Sequence, residues 1–163
     1  MDGECLGRSR GGLTSKLHIA VDGRGLPMNV ILTGGQAGDN PQLGPLLDGL
    51  KVARVGPGRP RSRPDAVVAD KAYSHPSTRA MMSKRRVRFI SPERSDQVAR
   101  RQAKGSAGGR PPAFDQELYR GRNVVERCFA RLKQFRGLAT RYAKRAAYYA
   151  AEVTIAAIVL WLR

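Results

Sequence analysis

Residues 16–22 (KLHIAVD) alternate apolar and polar side chains, residues 23–25 (GRG) supply a turn, and residues 26–32 (LPMNVIL) resume an apolar strand pattern. Successive side chains on a strand point to opposite faces, so this stretch predicts a β-hairpin with Asp22 at its turn and His18 on the solvent side. After Gly34 and Gly35, which read as a turn, Asp39, Asn40 and Pro41 offer a cap and a first-turn proline. Leu43, Leu46, Leu47 and Leu50 then follow at helical spacing.

Residues 54–64 (RVGPGRPRSRP) predict a basic loop. The apolar run AVVA from Ala66 stops abruptly at Asp70 and Lys71, as a buried strand does on reaching the edge of its sheet. His75, Pro76 and Ser77 open a helix reaching about Arg85, and residues 87–90 (VRFI) make another strand. Strands alternating with helices give an α/β class. From 91 to 113 periodicity is lost among Arg, Gly, Ser and Pro, which predicts a flexible basic insertion. Helix resumes from about Asp115 through Tyr119, Val125, Phe129 and Leu132 to about Phe135. A closing helix spans about 145–162, buried, with Trp161 as a core residue.

The 163 residues suffice for one domain, read as a single compact unit over residues 7–163 carrying that insertion. Thirty Lys and Arg against thirteen Asp and Glu give a net charge of +17 spread along the chain, so a polyanion is the expected partner. Nucleic acid fits better than a membrane surface, because the basic residues are mostly Arg and do not form one amphipathic helix. On charge alone a ribosomal-type or merely soluble basic protein fits equally. Cys5 and Cys128 share no zinc-like spacing with His18 or His75, and a reduced cytoplasm is the simplest compartment. The start, MDGECLGRSRGG, has no signal-peptide core, and the apolar end VTIAAIVLWL is too short to span a bilayer.

Projected at about 100° per residue on one helix, Tyr119, Arg122, Glu126 and Lys133 form a polar stripe opposite Val124, Val125, Cys128, Leu132 and Phe135. A carboxylate beside two cations suits phosphodiester chemistry, since the acid can hold Mg²⁺ and the cations can grip phosphates. An ordinary solvated face with an Arg–Glu pair remains open. Asp70, at the C-terminal end of a buried strand, lies where open α/β sheets bind ligands, and it equally fits a turn or helix cap.

The spacing of Tyr119, two residues, Arg122, three residues, Glu126, six residues, Lys133 resembles the signature of transposases of the bacterial insertion-sequence families four and five. VVADKAYSH around Asp70 resembles that family's second-aspartate strand, and GRSRGGLTSKLHIAVD the hairpin after its first aspartate. ERCFARLKQFRGLATRYAK and AAIVLWLR are similar to the insertion-sequence-five type. The resemblance covers nearly the whole chain. It implies a ribonuclease-H-like DDE catalytic core in which Asp70 and Glu126 are the second and third carboxylates that bind Mg²⁺, with Mn²⁺ as a substitute. It also implies that Tyr119, Arg122 and Lys133 contact double-stranded DNA at transposon ends or target.

The first aspartate of that pattern is expected upstream of Gly7 on a central strand. Asp2 has no apolar strand around it, Asp22 lies at a hairpin turn, and Asp39 reads as a cap. The expectation is therefore a core lacking its first central strand and the N-terminal DNA-binding region, so that catalysis needs an N-terminal transposase portion as partner. A homo-oligomer is a further possible partner. The alternatives are a non-catalytic basic DNA-binding remnant and a different ribonuclease-H-like nuclease, against which the four-residue spacing argues.

Overall fold

The computed structural model describes residues 4–9 and 12–163, so Asp2 lies outside the described residues. The chain is arranged as two compact bodies, Met1–Val52 with Asn123–Arg163, and Ala53–Arg122.

The first body is built on an antiparallel ladder of β1 (Gly7–Ser9), β2 (Gly12–Val21) and β3 (Pro27–Gly34) in that order. The predicted hairpin is β2–β3, with Leu17 opposite Leu32 and Ile19 opposite Val30. Asp22 makes its turn by accepting the Arg24 and Leu26 backbone N–H groups at 2.9 and 2.8 Å. Burial pushes the Asp22 carboxyl upward, but these N–H groups and the Arg24 guanidinium outweigh it and hold the group below the usual range. Gly25 completes the turn at φ +83, where a side chain would also press on the Val124 carbonyl.

One face of the hairpin meets helices α5 (Asn123–Lys133), α6 (Arg136–Thr140) and α7 (Ala146–Leu162). Leu17, Ile19, Val21 and Val30 pack there on a core of Cys128, Leu132, Leu138, Val153, Ala156 and Leu160. The other face carries α1 (Leu43–Asp48), whose Leu43, Leu46 and Leu47 are buried and whose Leu46 carbonyl accepts from Asn29 at 2.7 Å.

A hairpin covered on both faces has no solvent side, and this corrects the placement of His18. Its side chain is buried, bonded to Thr33 Oγ1 at 2.8 Å and 3.5 Å from an Asp39 carboxylate oxygen. Asp39 does not cap the helix with its side chain; it receives Lys16 at 3.3 Å as well as His18. Burial lowers the His18 pKa from its ordinary 6.5, Asp39 opposing and Lys16 adding to the effect. The folded state therefore binds a proton less readily than the unfolded chain. The stability this contributes is present above about pH 6.5 and is lost as pH falls through the folded value. Melting temperature is expected to drop on acidification from pH 7.5 to 5.5, and His18→Gln to flatten that profile. An equal acid loss in the variant would assign it elsewhere.

Helix α7 also departs from expectation. Ala146, Val153, Ala156 and Leu160 are buried, whereas Tyr148, Ile155, Ile158 and Leu162 are exposed. Trp161 is not a core residue; it is half exposed, donates to the Pro27 carbonyl at 2.8 Å and lies under the Arg24 guanidinium. Among the described residues no helix is long and apolar enough to cross a membrane.

The second body opens with an exposed stretch over 54–63, as expected of the basic loop. Strand β4 (Ala66–Val68) then pairs in parallel with β5 (Arg88–Ile90) through the crossover helix α2 (Pro76–Lys84). His75 caps α2 by accepting the Ser77 N–H, and Met82, Val87 and Ile90 are buried. The expectation of aperiodic chain over 91–113 is corrected by α3 (Ser95–Ala103). This helix buries no residue, which is why no apolar period announces it. It is held locally by Gln97 on the Arg94 N–H at 3.3 Å, and by Asp96 with Arg94 and Arg100. Ion pairing of Arg101 with Glu93 at 2.7 Å and a bond from Gln97 to the Ser74 carbonyl tie it to its body.

Candidate active site

Asp70 stands where the β4 strand gives way to a 3-10 turn, Lys71–Tyr73. Its Oδ1 accepts the Ala72 N–H at 2.9 Å, so it does cap a turn, the alternative left open from sequence. The strand end is fixed by a residue that no local pattern marks. Ser91, fully buried just beyond β5, donates through Oγ to the Asp70 carbonyl at 2.7 Å, while Arg79 donates to the Ser91 carbonyl at 2.8 Å. Ser91 is 21 positions away in sequence, and the parallel pairing of β4 with β5 is what brings it there.

The single helix expected from 115 to 135 is two helices, α4 (Gln116–Arg120) and α5. Asp115 caps α4 by accepting the Leu118 N–H at 2.9 Å. Gly121 and Arg122 then bond back only three residues, to the Leu118 and Tyr119 carbonyls, and α5 starts afresh at Asn123. Glycine weakens a helix interior by about 1 kcal/mol relative to alanine, and Gly121 stands at the break. A uniform projection from Tyr119 to Lys133 therefore does not hold.

The break also divides the motif between bodies. Tyr119 and Arg122 belong to Ala53–Arg122, where both are half-buried and the guanidinium stacks 5.9 Å from the ring centroid. Phe114 packs on the same tyrosine, centroids 5.2 Å apart. Glu126 and Lys133 lie on α5 in the other body, both exposed. Within α5 the projection holds: Cys128 and Leu132 face the core, and Glu126 and Lys133 share the open side, two turns or about 10 Å apart along the axis. Arg131, on the flank of the helix, donates to the Gly25 carbonyl and fastens α5 to the hairpin turn. Cys128, whose thiol is pushed up by burial, stays a neutral core group.

The structure thus joins Tyr119 with Arg122 and places Glu126 with Lys133, while Asp70 and Glu126 belong to different bodies. Among the described residues no three of His, Cys, Asp or Glu converge as a metal group. Asp70 and Glu126 nonetheless offer the carboxylate oxygens that a hard divalent cation selects.

The family model described as transposase DDE domain matches residues 4–162. The chain belongs to that family. This DDE domain is 32% identical over 151 residues to a putative transposase for insertion sequence element IS6501 from Brucella ovis, covering 93% of the chain and 100% of that protein. It is 34% identical over 148 residues to a putative transposase for IS402 from Burkholderia cepacia, covering 90% of the chain and 63% of that relative. Together they make it a DDE transposase of the kind found in insertion-sequence families four and five. No solved structure matches it. The mixed α/β architecture agrees with such a domain.

Proposed function

We propose that this chain supplies the second and third carboxylates of a metal-dependent DNA transposase that cleaves and rejoins phosphodiesters at insertion-sequence ends. The observation that carries the reading is the Tyr119, Arg122, Glu126, Lys133 spacing in a member of the DDE family, with Glu126 and Lys133 open to solvent on one face of α5. Asp70 and Glu126 would hold Mg²⁺, or Mn²⁺ in its place. When bound, such ions activate a water or 3′-hydroxyl and steady the leaving oxygen.

The protein's own part is to hold and orient. The bond from Ser91 fixes the strand end that carries Asp70. Lys133 and Arg122 would take backbone phosphates, Arg122 as a flat fork already stacked on Tyr119 and Lys133 as a mobile point charge. The net charge of +17 would supply long-range attraction for double-stranded DNA, which supports a working place at the nucleoid of the bacterial cytoplasm. The reading includes a ribonuclease-H-like core that works with the N-terminal portion of the transposase as its partner.

The test is Mg²⁺- or Mn²⁺-dependent nicking of DNA carrying the element's ends by this chain alone, by the chain with the N-terminal portion, and by Asp70→Ala and Glu126→Ala in that mixture. Nicking that needs the added portion and vanishes in both variants is the expected result. DNA binding without nicking in every combination overturns the reading and leaves a basic DNA-binding remnant.

A further inference from the structure

Residues 53–63, which lead into β4, belong to no helix or strand and are exposed throughout, Val55 completely. They hold Arg54, Arg59, Arg61 and Arg63 and no acidic residue. Gly56 and Gly58, both at positive φ with open space around them, bend the chain, and the run from Arg59 to Pro64 (RPRSRP) follows. A proline fixes its own φ and pushes the residue before it into an extended conformation, so Pro60 and Pro64 hold Arg59 and Arg63 extended. In such a chain, rising about 3.1 Å per residue, the four steps between these arginines cover roughly 12 Å, the height of three to four base pairs. Arg61 is used within the run: it donates to the Arg63 carbonyl at 3.1 Å and pairs with Asp65, whose own carbonyl accepts the Arg88 N–H at 3.2 Å at the foot of β4. Among the described residues the guanidinium groups of Arg59 and Arg63 have no such partner.

We infer that the run 59–64 lies in the minor groove of A/T-rich double-stranded DNA, with Arg59 and Arg63 reaching the groove floor. The inference rests on the DNA-binding part of the function proposed above and adds which feature of the duplex is read. The minor groove is about 6 Å wide, too narrow for a helix of about 10–12 Å diameter but open to a single extended chain. Narrow A/T tracts concentrate negative potential there, and a guanidinium sheds water more readily than an ammonium on entering. In a G/C pair the guanine N2 amino group, itself a donor, stands on the groove floor and opposes the approach. The contact is separate from the proposed catalytic carboxylate, because Asp65 and Asp70 flank β4 at opposite ends, five residues or at most about 17 Å apart.

The experiment is fluorescence anisotropy of the full chain on three duplexes of about 20 base pairs at about 0.15 M NaCl. One is A/T-rich, one is G/C-rich, and the third is the G/C sequence with inosine for guanine, which removes the N2 amino group and leaves the major-groove edge intact. The A/T and inosine duplexes are expected to bind about tenfold more tightly than the G/C duplex. Arg59→Ala combined with Arg63→Ala should erase that difference while moving G/C binding by less than about threefold, since phosphate attraction from the rest of the chain persists. Far-UV circular dichroism should not change, both positions being exposed. Equal wild-type affinity for the three duplexes overturns the inference, as does an inosine duplex bound like G/C or a preference that survives the double substitution. An equal loss on all three makes the run a phosphate contact and overturns it too. Nicking with no A/T preference removes this inference alone; no binding to any duplex removes it together with the DNA partner.

Discussion

Replacing Asp70 by Asn is expected to lower metal-dependent cleavage by about 10³-fold or more while changing stability by less than about 0.5 kcal/mol. The two effects separate because, on the proposed reading, Asp70 does two jobs with different chemistry. Its Oδ1 accepts the Ala72 N–H, and an Asn amide oxygen can take the same bond, Asn and Asp being near-equal caps. A neutral amide is by contrast a far poorer ligand for a hard divalent cation than a carboxylate. Asp70→Ala should lose the cap as well, at a cost of about 1 kcal/mol. Nicking rates with the N-terminal portion supplied, read beside urea melts of the same variants, check both halves. An Asn variant that cleaves like wild type would reduce Asp70 to a turn residue.

Leu132→Ala is expected to destabilise the body containing α5 by about 2–5 kcal/mol, against less than about 0.5 kcal/mol for Lys133→Ala one residue on. Leu132 is 3% exposed and packs with Cys128, Leu138, Val153, Ala156 and Leu160, so truncation leaves a cavity that close-packed neighbours fill only in part. Lys133 loses only a solvated side chain and, on the proposed reading, a phosphate contact. Urea unfolding followed by far-UV circular dichroism measures the difference. Equal costs for the two would mean that α5 does not present the faces described.

Elements whose apolar side meets a partner were legible from sequence: the β2–β3 hairpin, the β4–α2–β5 unit, and helices α1, α5 and α7. What escaped has a common physical origin in contacts that a one-dimensional pattern does not encode. Alternation along 16–22 marks two faces but not that both are covered, so His18 reads as exposed when α1 covers its side and Asp39 reaches it. Helix α3 is stabilised by caps and charges without an apolar stripe, so a search for periodicity passes over it. A period running through a two-residue interruption reads as one helix, so α4 and α5 were fused and the motif drawn as a single stripe. Asp70 and Glu126 were singled out by residue type and position, whereas Ser91 became visible only once β4 and β5 were paired.

The body built on the hairpin is discontinuous in sequence, with all of Ala53–Arg122 emerging between its two halves. During synthesis the hairpin appears first, yet the residues that seal one of its faces, Cys128 to Leu160, come after that whole intervening body. At about 5–20 residues per second, several seconds pass in which Leu17, Ile19, Val21 and Val30 have no permanent cover. Nascent-chain length thus decides when this protein is most exposed to chaperones and proteases, and the vulnerable interval lasts until α7 has been made.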